Sequence, residues 1–556
     1  MSTANKNLHS AICLLFLGLL LASCSPRHAG FSGIVVDQDG EPLAGAIVRI
    51  KATAQMTTTD SEGRFRLTPD DPLESAYLTA WVTGYYINGL EAQAGTDDHQ
   101  IVLHHHHQTD NKEYEWLSAF SSAGSESNCQ NCHADPTGEN LALPFTEWAQ
   151  DAHALSAQNP RFLTMYSGTN MAGDQSPLTQ YGTNRDYGLF PLRPDLSQPY
   201  YGPGYKLDFP DTEGNCAACH TPAASVNAPY ETDPTSVTGV GAEGVACDFC
   251  HKIWDVVLDP ETGLPYPNMP GVLSIEFRRP PGEHQFFSGP YDDVAPGEDT
   301  YSALQNQSQY CAPCHFGVFW DTTIYNSFGE WLESPYSDPE TGQACQDCHM
   351  PHVGATYIAL PEEGAVERDP DTIFSHLMPG AADQTLLENA VTLSATAALE
   401  DSQILVDVRL VNDLTGHHVP TDSPLRQMIL LVRALDGQGN ELVLLEGPTL
   451  PDWAGEGDPD DGYYAGLPGV GYARILEELW TEISPTGAYW NPTRELSDTR
   501  LAAMAEDENS WIFAAPADGE PVIEIRLLFR RAFIDLMDLK GWETPDIQME
   551  ALTLRP

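Results

Sequence analysis

The chain has 556 residues, more than one hydrophobic core can organise, so at typical domain sizes it divides into about three or four domains. Its 80 acidic residues outnumber 26 basic ones for a formal net charge of -54, which argues against nucleic acid and anionic membrane surfaces as partners. Only six of the basic residues are lysines, an acid-rich and lysine-poor balance that resembles proteins of saline habitats and that solubility alone would also explain.

At the N-terminus, Lys6 precedes an apolar run from Ala11 to Ala22, long enough for a secretory signal but too short to span a bilayer. An export signal is therefore expected over residues 1–23. The run ends in Leu21-Ala22-Ser23-Cys24, which resembles the lipobox of bacterial lipoproteins, with an ordinary cleavage site beside a chance cysteine as the alternative. The resemblance implies lipidation of Cys24 and contact with the membrane through that anchor only, several acyl chains holding where a single one binds marginally. Ser25 after the cysteine, rather than Asp, points by analogy to the outer membrane. The expected location is thus periplasmic or at the cell surface.

Residues 31–103 read as β-structure. "GIVVDQDGEPLAGAIVRI" alternates around an Asp-Gly turn, and "TTTDSEGRFRLTP" adds a second turn. The pattern G-x-V-x-D-x-x-G-x-P-L-x-G-A, then T-x-x-D-x-x-G-x-F, resembles the carboxypeptidase regulatory-like domain, which implies a transthyretin-like β-sandwich serving as spacer or docking module. No H-E-x-x-H peptidase motif accompanies it, and Asp37 and Asp39 read as turn formers rather than calcium ligands. His104 to His107 open a His-rich linker over 104–112, with adventitious metal binding as the alternative and haem ligation left open.

Of twelve cysteines, Cys13 lies in the signal and Cys24 in the lipobox, and the other ten fall in five identical frames. These are Cys129-x-x-Cys132-His133, Cys216-x-x-Cys219-His220, Cys247-x-x-Cys250-His251, Cys311-x-x-Cys314-His315 and Cys345-x-x-Cys348-His349. Random placement would give on the order of 0.01 such motifs, so five are not accidental. Two thiols on one turn can add across the two vinyl groups of a haem, and the following His is then held under the iron. Five covalently bound haem c groups are the expected cofactors. Zinc fits poorly, because zinc knuckles pair and give no reason for a His after every second Cys. Disulfides or thioredoxin-like pairs would not repeat in this frame either.

The segment around these motifs is rich in Gly, Pro and aromatics, and the porphyrins themselves are expected to fill much of its core, with short helices between loops. A haem iron with one His has an open site, whereas a second ligand closes it and suits electron transfer. Outside the motifs, the signal and the N-terminal domain with its linker, six histidines can supply that second ligand: His153, His284, His352, His376, His417 and His418.

The segments "PFTEWAQDAHALSAQNPRF", "GVACDFCHKIWDV", "FFSGPYDD", "GEWLESPYSDPETGQACQDCHMP" and "FSHLMPGA" resemble multihaem cytochromes c of the cytochrome c554 type and cover most of residues 113 to 381. The resemblance implies a pentahaem domain over 113–381, with distal ligands from a W-x-x-x-x-H helix (Trp148 to His153), from His284 before an F-G-P-like segment, here "FFSGPY", and from His376 before a Pro-Gly pair. His352 stands only three residues past His349 and is a weaker candidate to reach another haem. Asn412 to Thr421, "NDLTGHHVPT", resembles an N-x-x-x-G-H-x-x-P-T motif of related proteins whose His reaches back to an iron. By that register His417 is the ligand and His418 its neighbour, with Gly416 permitting close backbone approach.

From residue 385 to 556 the runs "AVTLSATAAL", "QILVDVRLVN", "RQMILLVRAL", "ELVLLEG" and "VIEIRLLFRR" suggest a second sandwich of six to eight strands. The expected architecture is multidomain: an N-terminal transthyretin-like β-sandwich, a central mostly helix-and-loop multihaem core and a C-terminal β-sandwich. The expected function is electron transfer between redox partner proteins of the cell envelope through mostly bis-His haems, with assembly alongside other cytochromes left open. No catalytic residue is assigned. The alternative is an oxidoreductase acting on a small nitrogen or sulfur species at one five-coordinate haem.

Overall fold

The structure is a computed structural model that describes residues 30–124, 128–136, 141–186, 188–282, 286–294 and 297–556. The export signal, Cys24 and His284 lie outside the described residues. The chain divides into two compact units, one formed by the residues up to Thr109 with Pro280–Ser302 and the other by Asp110–Arg279 with Ala303–Pro556.

In the first unit, β1 (Phe31–Asp37), β2 (Ile47–Ile50), β3 (Met56–Thr58), β4 (Arg64–Leu67), β5 (Ser75–Trp81), β6 (Asn88–Gln93) and β7 (His99–Leu103) make two sheets, ordered β4-β1-β7 and β3-β2-β5-β6. Val35 and Ile101 from one sheet and Val48 and Leu78 from the other share one core, which makes the unit sandwich-like. Asp37 accepts hydrogen bonds from the backbone N–H of Asp39 and Glu41, both at 2.9 Å, and so fixes the first turn.

The segment 280–302, read from sequence as part of the central domain, packs with this unit instead. Arg49 donates to Asp292 at 2.6 Å and Trp81 to Thr300 at 2.9 Å. The His104–His107 run is also seated in the unit: Tyr86 N–H donates to the His104 carbonyl at 2.9 Å, His105 stacks on Tyr85 at 4.0 Å, and His106 is buried.

The first part of the second unit has helices of four to eight residues between long loops. It also carries small antiparallel ribbons, among them β8 (Tyr181–Asn184) with β9 (Gly188–Pro191), and β10 (Ile253–Val256) with β11 (Ile275–Phe277). A further parallel pair, β12 (Phe287–Gly289) with β13 (Asp299–Tyr301), belongs to the first unit, and β14 (Gly317–Phe319) with β15 (Thr322–Tyr325) returns to the second.

From residue 392 onward nine strands follow, more than the six to eight expected: β16 (Thr392–Glu400), β17 (Gln403–Val411), β18 (Gln427–Leu435), β19 (Leu444–Glu446), β20 (Gly469–Glu478), β21 (Thr493–Asp498), β22 (Glu506–Ala514), β23 (Val522–Arg530) and β24 (Ile547–Leu554). They form a four-stranded sheet, β16-β17-β22-β19, and a five-stranded sheet, β21-β20-β18-β23-β24. β18 is apolar almost throughout because it is central and buried on both faces: Met428, Leu430 and Val432 face the core between the sheets, while Ile429 and Leu431 face a second cluster with Leu450 and Tyr464.

That outer face is what joins the strands to the motif-bearing segment. Ala473 and Ile475 of β20 pack with Met165, Tyr166 and Tyr205 and with the helix Ile534–Lys540, so 110–279 and 303–556 fold as one unit rather than two. Among the described residues no helix is long and apolar enough to cross a membrane.

Candidate functional site

Each of the five motifs is closed by one helical turn, so the two cysteines and the His leave the same side of a short backbone arc. Short helices span Gln130–His133, Ala217–His220, Cys247–Cys250 and Cys345–His349, and the fourth motif turns without a regular helix. In the first four, the His N–H donates to the carbonyl of the first Cys, at 2.9 Å for His133, 3.1 Å for His220, 3.0 Å for His251 and 3.1 Å for His315.

The motifs also meet one another. Cys247 lies close to Cys129, Cys311 to Cys345, Cys314 to Cys219 and Cys250 to Cys314. The first motif is thereby linked to the third, the third to the fourth, and the fourth to the second and fifth. None of the ten cysteines forms a disulfide. Burial pushes the thiols of Cys216 and Cys250 up to about 12. Among the described residues no three His, Cys, Asp or Glu side chains converge as a zinc site requires.

Six of the imidazoles are held by one nitrogen. Nδ1 is bonded to the carbonyl of Ile358 in His133 (2.6 Å), of Pro379 in His349 (2.7 Å), of Ile373 in His352 (2.8 Å) and of His418 in His417 (2.9 Å). Carboxylates do the same for His153, through Asp151 at 2.8 Å, and for His315, through Asp422 at 3.2 Å. An imidazole fixed in this way has its Nε2 directed elsewhere, the arrangement that metal-ligating histidines adopt.

Several of these rings face each other. His153 and His315 have ring centroids 6.2 Å apart, and His349 and His417 are likewise 6.2 Å apart with planes 18° from parallel. His376 is half-buried near His251 and His133, and burial together with those two neighbours lowers it to about 4. His349 is lowered to about 4 by burial and then by His417, and burial alone lowers His220 to about 4. Neutral imidazole is the form that binds metal. Burial would also lower His315, but Asp422 overrides it and holds that ring up at about 9. A carboxylate on Nδ1 makes Nε2 a stronger base, towards a proton or a metal alike.

These observations test whether the residues fit a haem. Two imidazoles bonded to one metal atom at about 2 Å each have centroids about 6 Å apart. The His153–His315 and His349–His417 pairs have that spacing, and each contains one motif His and one distant His. The donor set therefore fits a haem held by two thiols and two imidazoles.

The other candidates are placed differently. His153 does not stand on the helix Pro144–Trp148 but in the turn that follows it. His352 is exposed, with its ring 4.6 Å from Phe374. His418 is engaged by Glu330, which accepts its backbone N–H at 3.1 Å and lies 3.3 Å from its Nδ1, so His417 is the one that faces His349. His220 has Phe162 stacked on it at 3.7 Å, and among the described residues no second imidazole is set against it.

Four carboxylates that the sequence reading did not select hold this arrangement. Asp151 and Asp422 grip ligand candidates, Glu330 grips the His417 loop, and Glu147 accepts the N–H of His376 at 2.7 Å. Only Asp151 carried a local signal, standing two residues before His153.

A sequence profile of the carboxypeptidase regulatory-like domain matches residues 30–102. The first unit contains that domain. No curated protein matches the chain. Among solved structures, a penta-haem cytochrome c552 from Thermochromatium tepidum superposes with a TM-score of 0.52 at 17% identity, covering 80% of this chain and 100% of that one. At that identity the likeness is one of fold. A type II cohesin–X-dockerin complex from Acetivibrio cellulolyticus matches over 13% of this chain and 51% of the other, at 19% identity and a TM-score of 0.11, too small a piece to bear on the rest.

Proposed function

We propose that this protein is an exported c-type cytochrome that binds five haems and passes electrons between redox partner proteins of the cell envelope. The observation that carries the reading is the pairing of motif histidines with distant ones, His315 with His153 and His349 with His417, at 6.2 Å in both cases. The ten motif cysteines would attach the haems, and His133, His220, His251, His315 and His349 would be the proximal ligands. His153, His376 and His417 would be distal ligands, with His284 and His352 completing the set. Haem supplies one-electron chemistry, and two axial histidines suit it to transfer rather than to substrate binding. The contacts among motifs support a continuous route through the second unit. Cys24 would carry the lipid, Ser25 after it would direct the protein to the outer membrane, and assembly with other cytochromes would extend the route.

One observation favours a second reading. Among the described residues no imidazole stands about 6 Å from His220 as His153 does from His315, so that haem would offer an open position for a small nitrogen or sulfur species.

Haem content and spin state test both. A pyridine haemochrome assay on the purified protein is expected to give five haems per chain, and a lower count would overturn the proposal. A wholly low-spin spectrum unchanged by nitrite or hydroxylamine would support the carrier and reject the enzyme. A high-spin component that responds to either would do the reverse.

A further inference from the structure

In a protein with 80 acidic and 26 basic residues, arginines should find carboxylates easily. Most do: Arg49, Arg279, Arg500 and Arg530 are each paired with an aspartate or glutamate. Some half-buried arginines of the second unit depart from this, and three of them lie near one another. Arg161, Arg426 and Arg531 form no ion pair among the described residues. Arg161 donates to the Thr544 hydroxyl and lies over the Trp542 ring at 5.4 Å, and Arg426 donates to the Thr421 carbonyl at 3.0 Å.

The fold brings the three together. β18 and β23 are antiparallel with Gln427 opposite Arg530, so Arg426 and Arg531 each lie one residue beyond the same end of the ladder. Like charges brought close together repel. The third charge adds to this: burial and then the charges of Arg531 and Arg426 lower Arg161 to about 10, and burial and Arg426 lower Arg531. The one carboxylate that acts on them, Asp422 near Arg426, is already bonded to His315, so three mutually repelling guanidiniums in a partly desolvated place are left short of counter-charge.

Their neighbours locate the cluster. Leu425, Ala532 and Trp542 belong to a core cluster that also packs Phe162 and Cys216, and Phe162, next to Arg161, is the ring stacked on His220. The arginines therefore gather beside the second motif, whose His has no imidazole partner among the described residues.

We propose that Arg161, Arg426 and Arg531 form a binding site for an oxyanion beside the haem of the Cys216 motif. Guanidiniums bind carboxylate and other oxyanions in bidentate fashion, and three of them suit a group with at least one full negative charge. The oxyanion is either a propionate of that haem or a free small anion. The haem location rests on the function proposed above, whereas the oxyanion site rests on the arginines.

The test uses the purified holoprotein and the variants Arg531→Gln, Arg426→Gln and Arg531→Lys. Each is counted for haem, titrated calorimetrically with sodium nitrite and with sodium sulfite at ionic strength fixed by chloride, and its haem midpoint potentials are measured. A free-anion site gives saturable binding that weakens at least about tenfold in either Gln variant and less in Arg531→Lys. A propionate site gives no anion binding, but the potential of one haem falls in the Gln variants and is restored in Arg531→Lys. Saturable binding or a potential shift supports the proposal, and the absence of both with five haems present overturns it. If Arg531→Gln does not mature, Arg426→Gln and Arg531→Lys against the wild type give the same comparison. A haem count below five in the wild type would defeat the functional reading, while the anion titration still decides the arginines.

Discussion

At His153 and His417 the imidazole is fixed through Nδ1, by the Asp151 carboxylate in one case and by the His418 carbonyl in the other. The two anchors differ in charge, and this separates two predictions. His417→Ala should convert one haem to high spin while all five remain attached, because the thioether bonds do not depend on the distal ligand. His418→Ala should leave the spin state alone, since His418 is bound to Glu330. Electron paramagnetic resonance of the oxidised protein reads both, and an unchanged low-spin spectrum in His417→Ala would refute its assignment. Asp151→Asn should leave His153 in place but remove negative charge from Nδ1. A less basic ligand stabilises the ferric state less, so the midpoint potential of one haem should rise. Potentiometric titration of that variant shows it.

The loop Asn412–Thr421 illustrates what is legible at the scale of an element. Its Gly-His-His-Val-Pro-Thr sequence marks it as a special turn, and Gly416 is needed there because an added Cβ would lie 3.0 Å from Tyr336 and 3.1 Å from Trp331. Gly416→Ala should therefore cost about 1–3 kcal/mol through overpacking, measured by denaturant unfolding. The Glu330 clamp was not legible, since it comes from 88 residues away and glutamate is common in this chain. Burial would raise Glu330, but His418, Arg500 and Thr421 override it and leave its carboxyl lowered from the usual value. A lowered folded-state value means that the charged clamp stabilises the fold above the unfolded glutamate range, and that this is lost as pH falls through the lowered value. Glu330→Gln should destabilise the protein at neutral pH by about 3–5 kcal/mol, leaving Arg500 with Asp498 alone, and the difference from wild type should shrink in acid. The same contrast between local and distant information runs through the rest of the fold. The motif turns are set by adjacent residues and could be read directly. The packing of 280–302 with the first unit could not, because its contacts to Arg49 and Trp81 reach more than 200 residues along the chain. Strand β20 is not legible because its two glycines and mixed charges hide an alternation that the neighbouring β18 completes.

For the whole molecule the net charge of -54 sets the dominant long-range term. Like charges on one compact surface repel, and folding concentrates them, so the native state is strained in proportion to the range of that repulsion. Salt shortens the range from about 10 Å at 0.1 M to about 3 Å at 1 M. Salt also weakens exposed ion pairs such as Arg64–Glu62, but these contribute little, while the buried Lys252–Asp248 and Arg500–Glu330 pairs are screened far less. Repulsion should therefore win, and the melting temperature of the holoprotein should rise steadily between 0.05 and about 1 M sodium chloride. The rise should fade as pH falls into the carboxylate range, where protonation removes the charges that salt would otherwise screen. Scanning calorimetry at several salt concentrations, near neutrality and again near pH ~4, separates this from a general salting-out effect, which would persist in acid. A melting temperature that falls with salt at neutral pH would mean that exposed ion pairs outweigh the repulsion, and would remove the physical basis for reading the acid-rich surface as an adaptation to saline surroundings.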